Sequence, residues 1–301
     1  MTAGPTIAVL GTGNMGFPMA RRLCEAGYTI HAWNRSRWKA APLGAFGAVL
    51  HEHAADAVRT ADIVISLLEN GAVASTVLFG DGLANNALAP AAHAMKAGSL
   101  FIDMASTQPR EARDHAARLG ELGVAHLDAP VSGGTTGAEQ GKLVIMAGGK
   151  ASDFERALPL LRHFGRTTHV GPHGSGQLAK LANQMIVGIT IGAVAEALLF
   201  AARGGADMGK VREAISGGFA DSRILQLHGQ RMVERDFAPR GRLGIQLKDL
   251  RNTLATAQEI GFEAPITALF EQLYADAAEH GLADLDHAGL FVELASRNGM
   301  S

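Results

Sequence analysis

Thr6-Ile-Ala-Val-Leu10 runs directly into Gly11-Thr-Gly13-Asn-Met-Gly16, and a helix-like run from Met19 to Ala26 follows. A short apolar run ending at a glycine reads as a buried strand. The glycines have the G-x-G-x-x-G spacing, and their place between a strand and a helix is the context in which that motif means a dinucleotide site. Gly11 permits the tight turn, Gly13 lets a pyrophosphate approach the backbone, and Gly16 lets helix and strand pack closely. The helix N-terminus offers unpaired N–H groups and a positive dipole end to the phosphates. Without these flanks the same glycines would only make a turn. The candidate cofactor contacts here are Gly11, Thr12, Gly13, Asn14, Met15 and Gly16.

The residue that ends the second strand reports on the ribose, because an acid there accepts from the 2′-hydroxyl and repels a 2′-phosphate. This chain has no acid at that point and reads Trp33-Asn34-Arg35-Ser36-Arg37-Trp38-Lys39. A guanidinium, a hydroxyl and further cations suit a 2′-phosphate. Asn34, Arg35, Ser36 and Lys39 therefore join the cofactor set, with Leu67 at the end of the next strand, and NADP is expected over NAD. A solvated basic turn is the plainer alternative.

Outward from this start, the chain alternates short apolar runs with longer amphipathic ones to about residue 170, the rhythm of βαβ units. Strands are expected at Thr6–Leu10, Thr29–Trp33, Ile63–Leu67, Leu100–Asp103, Ala125–Asp128 and Leu143–Ala147. After the glycine-rich joint Gly171-Pro172-His173-Gly174 the pattern turns to long helical periods. Helices are expected at Ser175–Ala202, Met208–Ile215, Ile224–Arg235, Ile245–Ile260, Pro265–Glu279 and His287–Arg297. The fold class is thus an α/β Rossmann domain, residues 1–172, with a mostly parallel sheet and helices on both faces. An all-α domain, residues 173–301, follows it. Two units also suit a length of 301 residues.

Composition narrows the function classes. With 27 Lys and Arg against 29 Asp and Glu, the chain has no general attraction for nucleic acid or anionic membrane. A single cysteine, Cys24, rules out an internal disulfide and suits a reducing compartment. Met1 leads straight toward a strand with no basic n-region, so a cytoplasmic protein is expected. The apolar stretch Met185–Ala202 contains Glu196 and reads as a buried helix rather than a membrane span. Its burial on several faces implies a second subunit, so a homodimer or homotetramer is expected. None of the twelve histidines falls in an H-E-x-x-H or Cys/His pattern, and no metal is expected.

Two further stretches carry substrate-type chemistry. Asp128-Ala-Pro-Val-Ser132-Gly133-Gly134 follows the strand Ala125–Asp128 and lies at a carboxyl end of the sheet, where ligands of open α/β sheets bind. Ser132 offers a hydroxyl, and Gly133 and Gly134 can turn N–H groups toward a carboxylate, although most such loops are only turns. At the start of the long helix, Gln177, Lys180, Asn183 and Gln184 are three and four apart and share one face. One cation among three amides, before an apolar run, suggests a face toward the cleft between domains. A surface lysine explains it equally well. Lys248-Asp249 is a third candidate, with a solvated ion pair as its alternative.

Taken together, Gly11–Ala20, Asp128–Gly134, Gly176-x-x-x-Lys180-x-x-Asn183 and Lys248-Asp249 resemble the β-hydroxyacid dehydrogenases over almost the whole chain. The segments Lys180–Gln184, Gly217–Arg223 and Asp286–Ala288 look most like the semialdehyde-reducing branch. The resemblance implies hydride transfer between a nicotinamide and a small carboxylated substrate. It implies Lys180 as general acid or base, Ser132, Gly133 and Gly134 as carboxylate holders, and Ser106 and Lys248 as cofactor contacts. Asn183 and Gln184 are assigned to the substrate, although many relatives carry Asn where this chain has Gln184. The rival from another class is a non-catalytic NADP-binding redox sensor, which would have no need of a proton-transfer lysine.

Overall fold

The computed structural model describes residues 4–82 and 89–300. Contacts gather the chain into two compact units, Met1–Lys180 and Leu181–Ser301.

The first unit is built on one sheet of nine strands. In chain order they are β1 Ile7–Leu10, β2 Ile30–Trp33, β3 Val49–Leu50, β4 Ile63–Ser66, β5 Leu100–Asp103, β6 Ala125–Asp128, β7 Val131–Ser132, β8 Leu143–Gly149 and β9 Gly165–Gly171. They lie side by side as β3-β2-β1-β4-β5-β6-β8-β7, with β9 on β8. Strands β1 to β6 pair in parallel, whereas β8 runs against β6 and β7 and beside β9. Every residue of β1, β4 and β5 is buried, as expected where both faces of a parallel sheet are covered. Alternate residues go to opposite faces. Ile7, Val9, Ile63, Ile65, Leu100 and Ile102 enter one core, and Ala8, Leu10, Val64 and Phe101 enter the other. The strand order reverses between β1 and β4, and the carboxyl ends flanking such a switch point are where α/β sheets bind ligands.

Three strands have no counterpart among the six expected. Two of them, β3 and β7, are only two residues long. The third, β9, is Gly-Arg-Thr-Thr-His-Val-Gly, nowhere fully buried, so it carries little apolar signal. It is held by its pairing to β8 rather than by its own side chains.

The second unit is helical among its described residues, with helices Met208–Ile215, Arg223–Glu234, Leu243–Glu259, Pro265–Ala277 and Leu290–Arg297. Its core gathers Ile191, Leu198, Leu250, Tyr274 and Phe291. The expected helix from His287 opens instead as a 3-10 turn, His287–Gly289, capped by the Asp286 side chain accepting from the Ala288 N–H. The helix from Pro265 is α-helical to Ala277 and continues with wider π-type turns over Ala278–Leu282, where Gly281 takes a left-handed φ of 83°. The long helix Ser175–Arg203 passes through both units. Against the expectation of a buried helix, only 33% of its most apolar 18-residue window is buried. Ile191, Val194, Ala195, Leu198 and Leu199 face the core, whereas Ile186 and Phe200 are exposed.

Candidate functional site

The glycine loop leaves β1 with its geometry set by close approach. Gly11 has a φ of +96°, and a Cβ on it would lie 2.6 Å from the Leu67 carbonyl oxygen. A Cβ on Gly16 would overlap the Gly11 carbonyl at 1.9 Å. Neither position can carry a side chain. Gly13 differs, because a Cβ there would meet nothing within 4 Å. That open space beside the backbone is the opening a pyrophosphate needs. The helix Gly16–Glu25 begins at Met15 with no side-chain cap and no acid in its first turn, so its N-terminal dipole is uncompensated from within the helix. The residues present therefore fit a dinucleotide phosphate. Leu67 stands against Gly11 as the floor of this turn, its N–H donating to the Leu10 carbonyl.

At the end of β2 the Asn34 amide is already committed. Its Oδ1 accepts from the Thr12 N–H at 2.9 Å, and its Nδ2 donates to the Ser36 carbonyl at 3.0 Å. Asn34 thus ties the glycine loop to the basic turn and fixes both. Within the turn, Arg37 pairs with Glu52 and Lys39 lies 5.4 Å from the centre of the Trp38 ring. Arg35 is exposed and Ser36 half-buried at the front of the short helix Arg37–Ala40.

The central strand ends carry two acids that sequence reading left out of the site. Asp103 and Asp128 are register partners on β5 and β6, and both are fully buried. Burial, with the nearby Asp128 charge adding to it, pushes Asp103 up to about 7, although the Ala105 N–H donates to its Oδ1. Burial also raises Asp128, against the opposing pull of two N–H groups. Gly174 donates to its Oδ1 at 2.8 Å and Gln177 to its Oδ2 at 3.0 Å. Those donors belong to the start of the Ser175–Arg203 helix, which approaches the sheet so closely that a Cβ on Gly176 would lie 2.3 Å from the Asp128 carbonyl. Gln177 is wholly buried. Its Oε1 accepts from the Thr107 N–H at 3.0 Å and its Nε2 donates to the Ala105 carbonyl at 2.8 Å. Ser106 sits between those two anchors, and Lys180, half-buried, lies three residues beyond Gln177.

Ser132 belongs to β7, opposite Val144 of β8, rather than to a free loop. Gly133 and Gly134 follow with φ of 134° and 63°, both exposed, and open the helix Gly134–Gln140.

In the second unit the amides and charges expected on two separate helices form one chain of contacts. Asn183 Nδ2 donates to Gln184 Oε1 at 2.9 Å, and Gln184 Nε2 donates to Asp249 Oδ2 at 2.6 Å. Asp249 Oδ1 pairs with Lys248 Nζ at 3.0 Å, and Gln246 Nε2 donates to the Gln184 carbonyl. Asp249 is 1% exposed, so Lys248-Asp249 is no solvated surface pair. Gln184 spends its side-chain amide on Asn183 and Asp249, an arrangement that orients Asn183.

The fold also gathers histidines that their spacing left apart: His228, Asp286 and His287 present ligand-type atoms within 4.8 Å of one another. A cation already sits there, since Arg231 Nη1 lies 3.0 Å from Asp286 Oδ1, and the Gly241 and Ala288 N–H groups also donate to that carboxylate. The His173 ring lies 3.0 Å from the His126 carbonyl.

Comparison with known proteins agrees with this geometry. The family described as the NAD binding domain of 6-phosphogluconate dehydrogenase matches residues 6–171, and that described as NAD-binding of NADP-dependent 3-hydroxyisobutyrate dehydrogenase matches residues 174–293. The chain is 40% identical to 2-hydroxy-3-oxopropionate reductase of Escherichia coli over 94% of its own length and 95% of the relative's. It is 34% identical to 3-hydroxyisobutyrate dehydrogenase of Pseudomonas aeruginosa, covering 94% and 95%. Among solved structures, 3-hydroxyisobutyrate dehydrogenase of Mycobacterium tuberculosis with L-serine superimposes with a TM-score of 0.87 at 30% identity, covering 96% of this chain and 99% of that one.

Proposed function

The chain belongs to the β-hydroxyacid dehydrogenase family, as an NAD(P)-dependent enzyme acting on CH–OH, and from that premise we propose that it reduces a small semialdehyde acid, tartronate semialdehyde before others, with NADPH. One observation carries the reading. Lys180 stands one helical turn beyond Gln177, which is held to the segment after β5, on a helix whose start is fastened to β6. A lysine there is placed by the sheet and not by a flexible loop.

When bound, the nicotinamide supplies the hydride, which passes from its C4 to the carbonyl carbon. In reduction Lys180, as ammonium, donates a hydrogen bond to the carbonyl oxygen and then a proton to the alkoxide as it forms; in oxidation it takes that proton back. Ser132, with the N–H groups around Gly133 and Gly134, holds the substrate carboxylate. Asn183, oriented by Gln184, contributes an amide to the substrate. The Gly11–Gly16 turn holds the pyrophosphate, Ser106 and Lys248 contact the cofactor, and Arg35 and Ser36 take the 2′-phosphate. The exposed guanidinium of Arg35 and the lack of an acid at the end of β2 support NADPH over NADH.

Lys180→Ala should lower kcat on the order of a hundredfold or more while leaving NADPH affinity nearly unchanged. Following nicotinamide absorbance with tartronate semialdehyde and related acids tests this. Wild-type turnover in the variant would sink the assignment, and no turnover of the wild type with any acid would favour the sensor. For the cofactor, Arg35→Asp should reverse the preference toward NADH by repelling a 2′-phosphate and accepting from a 2′-hydroxyl. A wild-type kcat/KM that is higher with NADH would refute the NADPH reading.

A further inference from the structure

We propose that Asp128 and Gln177 are positioning residues that hold the Lys180 helix and the Ser106 segment in one fixed relation, so that proton donor and cofactor contact move as a single piece. The inference rests on the reading of Lys180 as proton donor and Ser106 as cofactor contact.

A helix start leaves its first N–H groups without partners inside the helix, and an N-cap side chain usually accepts from one of them. Here the acceptor comes from 46 residues away. Asp128, at the end of β6, takes the Gly174 and Gln177 N–H groups on its two oxygens, where negative charge is favoured by the helix dipole. The helix start is therefore registered to the sheet, and glycines at 148 and 176 let it come that near. A Cβ on Gly148 would lie 2.6 Å from the Gly176 nitrogen.

Gln177 extends the registration from β6 to the segment after β5. A wholly buried amide must satisfy its polar atoms, and this one does so on both sides of Ser106, at Ala105 and at Thr107. Asp103 accepts from the Ala105 N–H and steadies the same segment from the strand. Lys180 lies three residues on, along the same helix face as Gln177. A displacement of the helix start would shift Lys180 and the backbone around Ser106 together, and an offset of about an ångström at reacting groups is enough to lower a rate steeply.

Two substitutions separate this from a merely structural role. Gln177→Met keeps the volume and removes both hydrogen bonds. It should lower kcat at least tenfold with tartronate semialdehyde and raise the NADPH Kd several-fold, with KM for the acid within twofold. Amide exchange at Ser106 and Thr107 should quicken. Gln177→Glu can donate to the Ala105 carbonyl only when protonated. The ionisable groups around it are Asp103 on β5, which accepts from the Ala105 N–H, Asp128 on β6, which accepts from the Gln177 N–H, and Lys180 on its own helix face. Complete burial disfavours the ionised form of a carboxyl at 177, against the pull of Lys180. The ratio of Gln177→Glu to wild-type kcat should therefore rise as pH falls from 8 to 6.

Wild-type kcat and NADPH Kd in Gln177→Met would overturn the proposal, as would a pH-independent ratio for Gln177→Glu should the first variant not fold. If Lys180→Ala kept its turnover, the reading of the lysine would fail instead, while the changes in NADPH Kd and amide exchange on Gln177→Met would persist.

Discussion

Asp103 shows how one residue at the strand ends sets a pH dependence for the fold. It is fully buried, and burial beside Asp128 raises it to about 7, whereas an unfolded aspartate titrates near 3.9. Between those values the folded chain keeps a proton that the unfolded chain releases. The contribution of Asp103 is therefore fully present below about pH 4 and is lost as pH rises through about 7, each pH unit in that window being worth up to about 1.4 kcal/mol. Asp103→Asn keeps an oxygen to accept from Ala105 and removes the titration. Stability by denaturant unfolding should then fall less steeply from pH 5 to 7 in the variant than in the wild type. Parallel curves would contradict this. The comparison must be between variant and wild type, because buried His126, held neutral well below its usual range, imposes the opposite slope on both as pH falls past about 6.5. At this scale the sequence announces residues by motif: the glycine loop and Lys180 are legible because a spacing carries them. Asp128 is not, since its importance comes from the Gly174 and Gln177 N–H groups, which are distant in sequence.

Elements were legible in proportion to their own apolar content. The six expected strands are all present within a few residues, and β1, β4 and β5 bury every position. The helix Met208–Ile215 falls where its period places it. What escaped reading is made by neighbours: β3 and β7 are too short for a pattern, and β9 is polar and exists through β8. The turn at His287 was hidden for the same reason, because the Asp286 cap acts on the backbone, whereas the residues around it are as apolar as a helix requires. Ser132 was expected in a loop and lies on β7, a difference that gives its backbone a ladder position opposite Val144. A hydroxyl meant to hold a carboxylate is better placed on a paired strand than on a free turn.

At the scale of the whole molecule, the long helix leaves apolar surface without a cover. One face of Ser175–Arg203 enters the second unit's core through Ile191, Val194, Ala195, Leu198 and Leu199. On other faces Ala182, Ile186, Ala193, Ala197 and Phe200 are exposed, spaced so that they fall along one stripe, with Ile186 at 68% and Phe200 at 81%. Glu196 is exposed at the edge of this stripe, but a helix with an apolar face of this length normally has that face covered. Its length and hydropathy would also let it cross a membrane, yet the five residues on its core face are already committed to a helical core that a lone span would not possess. A second copy of the chain, packing the same stripe about a two-fold axis, is the expected occupant. Sedimentation equilibrium at micromolar concentration should give a dimer or tetramer. Because each copy would bury both residues, Ile186→Glu with Phe200→Glu places charges in an apolar contact and should shift the protein toward monomer, while leaving the far-UV helical signal intact. A wild-type monomer at those concentrations would overturn the expectation, as would a double variant with unaltered mass.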